Sequence, residues 1–166
     1  RQTVVSMFTG VADLFLRNPM YQIFCDKSTF SPLDVEDGKI IILDLPVKDF
    51  NETAVIVQKL FKYVWQRAIE RRRIDKKSRP VFLWADESQY FINEYDATFQ
   101  TTARSSMACT VLLSQSISNY YAVLGAGDDK KAFVDSLLGN LSTKVFHSNN
   151  DTKTNQWASE LFASDW

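Results

Sequence analysis

The stretch Val81-Phe82-Leu83-Trp84-Ala85-Asp86-Glu87 is an apolar run that stops on two adjacent carboxylates. An apolar run of this length, bounded by Pro80 before it and by charge after it, predicts a buried strand. Both acids then stand at its C-terminal tip, the edge at which open parallel sheets hold ligands. Taken alone, the pattern has a second reading as a buried strand followed by an acidic surface turn. The segment downstream separates the two. A second apolar run, Thr110-Val111-Leu112-Leu113, ends in Ser114-Gln115-Ser116, and the amphipathic residues between the runs, 97–107, carry Arg104. Strand, helix and strand at this spacing predict a right-handed βαβ unit, which brings Gln115 beside Glu87 on one sheet edge.

The remaining segments extend this alternation. Val4, Phe8, Val11, Ala12 and Phe15 form a helical stripe over 2–16 that stops before Asn18-Pro19. Asn51 is expected to cap a long helix reaching about Arg73, with Ala54, Val57, Leu60, Phe61, Val64, Trp65 and Ala68 inside and Lys59, Lys62 and Glu70 outside. Residues 40–46 and 143–146 read as strands, and 132–138 and 153–162 as helices. The last helix is capped by Asp151-Thr152 and buries Trp157 and Leu161. Residues 125–129, Gly-Ala-Gly-Asp-Asp, read as a mobile acidic surface loop. The order is helix, strand, long helix, strand, helix, strand, helix, strand, helix. Such alternation predicts an α/β fold, a mostly parallel sheet with helices on both faces.

Composition bounds the answer. A chain of 166 residues suffices for a single domain, 1–166, and 45% apolar with 13% aromatic residues excludes disorder as its main state. The net charge of −1 carries no global nucleic-acid signature, although seven of the nineteen basic residues crowd between Arg67 and Arg79. In part these suit the negative pole of the preceding helix. Cys25 and Cys109 are far apart and His147 is the single histidine, so no zinc spacing is present and a reducing compartment is expected. No run approaches the roughly 20 apolar residues that span a bilayer.

The order of apolar strand, Asp and Glu has a chemical reason in P-loop NTPases. There the first carboxylate holds Mg²⁺ through water and the second polarises the attacking water, the pattern called Walker B. Asp86-Glu87, Arg104 and Ser114-Gln115, in that order, resemble the ATPase motifs of RecA-like DNA-pumping motors, the superfamily of FtsK, HerA and the conjugative coupling proteins. Ser28-Thr29-Phe30-Ser31-Pro32-Leu33, followed by Asp37-Gly38-Lys39 and Ile40-Ile41-Ile42-Leu43-Asp44-Leu45-Pro46, is similar to a passage of the TraG/TraD-type coupling proteins. So is the tail from Leu138 through His147 to Thr152. The resemblance runs from about Ser28 to Leu161.

The resemblance implies a RecA-like P-loop NTPase core that uses ATP and Mg²⁺. In it Asp86 serves Mg²⁺ through water, Asp86 and Ser114 face the nucleotide, Glu87 is the catalytic base and Gln115 senses the γ-phosphate. Arg104 is either a finger reaching a neighbour's γ-phosphate or a surface helix arginine. The implied partners are single-stranded DNA with its relaxase, the relaxosome, secretion-channel proteins and further copies in a homo-oligomeric ring. The implied setting is the cytoplasmic domain of a bacterial protein associated with the inner membrane, with any anchor outside this stretch.

One part of such a site is not found in the sequence. The glycines are Gly10, Gly38, Gly125, Gly127 and Gly139, and none opens a G-x-x-x-x-G-K-[ST] loop. The phosphate cradle is therefore expected upstream, in a longer protein of which these residues are the C-terminal part of the ATPase domain, and a chain opening on Arg1 fits that expectation. By themselves they are expected neither to bind ATP tightly nor to hydrolyse it. Lys130 and Lys131, near Tyr120 and Tyr121, have the character of DNA contacts or of a solvated loop. Two alternatives remain open. One is a pilus-assembly or secretion ATPase of the same superfamily; the other is a non-catalytic module that docks relaxosome or channel proteins through exposed Tyr90, Phe91 and Tyr95.

Overall fold

A computed structural model describes residues 2–18, 20–125 and 127–163. Arg1, the Pro19 stop and Ala126 of the expected loop lie outside the described residues, as does the side chain of Val11. Helices α1 (Gln2–Leu16) and α2 (Met20–Phe24) lead through a 3₁₀ turn, Pro32–Asp37, to the long helix α3 (Val47–Glu70). Strand β1 (Val81–Ala85), a 3₁₀ turn Ser88–Tyr90, α4 (Glu94–Ala103) and β2 (Ala108–Leu112) follow. Helices α5 (Ile117–Leu124), α6 (Asp128–Asn140) and α7 (Thr152–Ala163) complete the described chain. The fold is mixed α/β, helix-rich, with a small parallel sheet.

β1 and β2 pair in parallel with Val81 opposite Ala108 and Ala85 opposite Leu112, the two strands of the expected βαβ unit. Their inner face, with Trp65 and Ile69 of α3 and Phe99 and Ala103 of α4, forms one core cluster. Phe99 is fully buried and its ring centroid lies 5.8 Å from that of Trp65. Burying two such side chains contributes roughly 3–6 kcal/mol before chain entropy is charged against it. Alternate residues of β1 point the other way: Phe82 and Trp84 are 54% and 68% exposed, so helix cover at β1 is one-sided among the described residues.

The expected strands at 40–46 and 143–146 form no ladder among the described residues. Around Leu43 the inward and outward alternation is that of a strand, with Ile41, Leu43 and Leu45 at least partly covered and Ile40 and Ile42 89% and 84% exposed. What is lacking is a neighbour to exchange backbone hydrogen bonds with, and a side-chain pattern cannot supply one. Leu45 still anchors a second cluster with Met20, Ala54 and Val57, which ties α2 and α3 together. A third cluster joins Ile92, Ile117, Tyr120, Val134 and Leu137.

Helix α3 differs from expectation in two ways. A helical turn precedes Asn51, whose φ of 48° and ψ of −131° kink the helix where an extended capping residue was expected. The buried face is also rotated. Ala54, Val57 and Trp65 are inside as expected, but Leu60 and Val64 are 47% and 43% exposed, while Lys62, Gln66 and Ile69 are buried. The packing partner is the polar start of α4 as well as the sheet, and it draws polar residues inward. α1 forms over the expected residues, yet Val4 and Phe8 of its stripe are 70% and 72% exposed. Phe91, expected outside, is 8% exposed, and Trp157 and Leu161 are half-buried. Lys130 and Lys131 stand in the first turn of α6 and not in a loop; Lys130 lies 3.9 Å from Glu94 at the surface. No described helix is long and apolar enough to cross a membrane.

Candidate functional site

The two strand ends meet through the backbone. Beyond the ladder, the Leu113 N–H donates to the Ala85 carbonyl and the Ser88 N–H to the Leu113 carbonyl, each at 2.9 Å. Between these bonds Glu87 takes a left-handed conformation, φ 47° and ψ 43°, which L-residues adopt infrequently. The turn is locked from below: the Ser88 hydroxyl donates to the Leu113 carbonyl at 2.8 Å and lies 2.5 Å from the Tyr120 hydroxyl.

That turn aims the Glu87 carboxylate across the gap to the second strand. Gln115 Nε2 donates to Glu87 Oε1 at 2.8 Å, the juxtaposition expected from the βαβ spacing. Gln89 Nε2 donates to Glu87 Oε2, and Gln89 Oε1 accepts from the Ser114 hydroxyl at 2.8 Å. Four side chains therefore form one chain of hydrogen bonds, Gln115 to Glu87 to Gln89 to Ser114, which crosses from β2 to β1 and back. Both oxygens of Glu87 are occupied by amide donors. The two donors differ: Gln89 is 3% exposed, whereas Gln115 is exposed.

Asp86 is exposed beside them, and its Oδ1 accepts the Glu87 N–H at 2.9 Å, which leaves Oδ2 toward solvent. One free carboxylate oxygen fits a Mg²⁺ ion reached through water, which needs one or two carboxylates and keeps several waters. It does not make a protein cage, and the described residues contain no group of three or more His, Cys, Asp and Glu side chains that could hold a metal ion. The donor set thus fits the water-positioning half of a Mg²⁺–nucleotide site and not the phosphate cradle.

Arg104 is not brought to this group. α4 ends at Ala103, Arg104 caps it, and residues 104–107 turn into β2 through Met107 at φ 48°. The Met107 carbonyl accepts the Val81 N–H, so this turn sits at the N-terminal end of the strands. Five residues of strand separate it from Glu87, about 16 Å at 3.3 Å per residue. His147 is exposed and lines a cleft of about 490 Å³ between the residues that follow β2, among them Ser114 and Gln115, and residues 143–149, which belong to no helix or strand.

Two features escaped sequence reasoning. Gln89 lies two residues past Glu87 in a 3₁₀ turn, where no periodicity marks it. The other is a buried polar cluster between α3 and α4. Lys62 Nζ donates to the Phe91 carbonyl at 2.5 Å and pairs with Asp96 Oδ2, while Gln66 Nε2 donates to Asp96 Oδ1 at 2.7 Å. Asp96 also accepts the Asn93 N–H at 2.7 Å, closing a capping box with the Asn93 side chain at the start of α4. Burial pushes the Lys62 ammonium below its ordinary pKa, against the pull of Asp96. The i, i+4 relation of Lys62 to Gln66 was the available signal.

Comparison with protein-family models, curated proteins and solved structures gives no match.

Proposed function

We propose that this chain is the part of a ring-forming, DNA-translocating ATPase of the conjugative coupling type that supplies the Walker B and sensor residues, within a larger RecA-like core. The observation that carries the reading is the 2.8 Å bond from Gln115 to Glu87 across the C-terminal ends of adjacent parallel strands. A carboxylate at one strand tip and an amide at the next form the pair that a water-activating base and a γ-phosphate sensor require.

In this reading Glu87 accepts the proton of the attacking water, and Ser88, Gln89 and Ser114 hold it in place. With both Glu87 oxygens occupied, the arrangement is a resting one. Exposed Gln115 is the donor that gives way, freeing Oε1 for water when its amide turns to the γ-phosphate, while buried Gln89 keeps Oε2. Asp86 would hold Mg²⁺ through water, which supplies charge neutralisation on the phosphates. Arg104, at the opposite strand ends, serves only a neighbouring subunit. ATP and the phosphate-binding loop belong to the larger core; single-stranded DNA, the relaxase, relaxosome and channel proteins are the corresponding partners.

The test is Glu87→Gln in the protein that carries the phosphate-binding loop. ATP binding is expected to persist while turnover falls by about 10²-fold or more, the usual worth of a positioned general base. Near-normal turnover overturns the assignment.

A further inference from the structure

The N-terminal pole of the sheet carries a concentration of positive charge that the catalytic reading does not use. Between α3 and β1, residues 71–79 hold Arg71, Arg72, Arg73, Lys76, Lys77 and Arg79 against a single acid, Asp75, in a chain of net charge −1. None of the ion pairs among the described residues involves any of these six cations.

Two of the six are committed to the fold. The Arg72 guanidinium donates to the carbonyls of Ser106 (2.8 Å), Arg79 (3.0 Å) and Met107 (3.2 Å), pinning the loop to the turn that precedes β2. Arg79 lies against the Gly38 turn, so closely that a Cβ at Gly38 would fall 2.7 Å from its Nη1. The acid is also committed: Asp75 Oδ1 accepts the Lys77 N–H and the Ser78 hydroxyl, and these hydrogen bonds hold its carboxyl below the usual range. Nearby Glu70 is taken by Arg67, Tyr95 and Thr102. That leaves Arg71, Arg73, Lys76 and Lys77 exposed, each side chain without a hydrogen-bond or ion-pair partner among the described residues.

Like charges held on a pinned loop repel one another and cost stability, and a polyanion laid across them relieves that cost. The stretch from Arg71 to Arg79 contains no aromatic residue, so it offers no platform on which bases would stack. Recognition there rests on phosphates alone. We infer that the Arg71–Lys77 loop is a docking surface for the phosphodiester backbone of a nucleic acid, bound without regard to base sequence. The surface adds a contact to the DNA-handling reading above but lies away from Glu87, and it stands or falls separately because it is measured without nucleotide.

The experiment is fluorescence anisotropy of the wild-type chain with a labelled mixed-sequence duplex, and with one of its strands alone, between about 50 and 200 mM salt. Four phosphate contacts predict about a 10²-fold loss of duplex affinity across that range and a shallower salt slope for the single strand. The quadruple variant Arg71→Ala, Arg73→Ala, Lys76→Ala, Lys77→Ala is expected to bind the duplex at least tenfold more weakly at low salt, with most of the salt slope gone. Lys130→Ala with Lys131→Ala serves as the comparison and is expected to leave binding unchanged. Because the four side chains support nothing in the fold and repel one another, the variant should melt no lower than the wild type; should it melt lower, the same positions changed to Gln repeat the measurement. Equal affinity and slope in wild type and quadruple variant overturn the proposal. So do loss of binding in the Lys130/Lys131 variant alone, failure of the wild type to bind either nucleic acid, and binding to phosphatidylserine vesicles at a salt concentration where the duplex is not bound.

Discussion

Replacing Lys62 with Met tests whether the buried cluster between α3 and α4 is a principal fastening of this fold. The Lys62 and Asp96 side chains are 7% and 6% exposed, so their charges meet with little water between them. Removing one partner of a buried ion pair typically costs about 3–5 kcal/mol, because the remaining charge is left without compensation. Asp96 would retain Gln66 Nε2 and the Asn93 N–H, which places the expected loss near the lower bound, about 3 kcal/mol. Met matches the aliphatic stem, so little of this comes from a cavity. Against a total stability of roughly 5–15 kcal/mol the effect is large. It is read from urea unfolding followed by far-UV circular dichroism and by tryptophan fluorescence, to which Trp65, one α-helical turn away, contributes, with the slope m checked for constancy. Asp96→Asn and the double variant complete a cycle in which the double variant should cost about 2 kcal/mol less than the sum of the singles. A loss under about 1 kcal/mol for Lys62→Met, or strict additivity, would show that the pair does not fasten the helices.

On the proposed ATPase function, Gln89→Leu in the protein that carries the phosphate-binding loop should lower kcat by about 10- to 100-fold, the worth of one hydrogen bond to a charged group, while leaving nucleotide affinity unchanged. It should add nothing when Glu87 is already Gln; an equal further loss on that background would mean that Gln89 does not act through Glu87. Asp151 accepts the Thr154 N–H and the hydroxyls of Thr154 and Ser118, which hold its carboxyl below the ordinary 3.8. The unfolded chain then takes up this proton first as pH falls, so the stabilisation is present above about pH 4 and is lost as pH drops through the depressed folded value. Melting temperatures of wild type and Asp151→Asn should differ at pH 7 and converge as the pH is lowered below about 4; a difference that is constant with pH would refute the assignment.

Much of the site was legible because it rests on short-range pattern. The apolar runs before Asp86 and before Ser114, with one helix between them, dictate a βαβ unit that places Gln115 at the strand end beside Glu87, and the turn held by Ser88 and Tyr120 then aims the carboxylate at it. Gln89 and Arg104 show the limit. Gln89 reaches Glu87 through a 3₁₀ turn whose side-chain directions follow neither a helical nor a strand period, and Arg104 stands just past the end of α4 because residues 105–107 tighten into i→i−3 turns before β2.

The order long helix, strand, helix, strand from α3 to β2, the parallel strand pair and the placement of Glu87 and Gln115 at adjacent strand ends are thus properties of the sequence by itself, since periodicity and connection length determine them locally. Which residues of α3 face inward, whether Ile40–Leu45 finds a strand to pair with, and how the basic loop is pinned were decided only in the tertiary structure. Those outcomes depend on partners distant in sequence. Lys62 becomes an interior residue because Asp96 and the Phe91 carbonyl await it 34 and 29 residues away, and a charge is tolerated in the interior only where such partners exist.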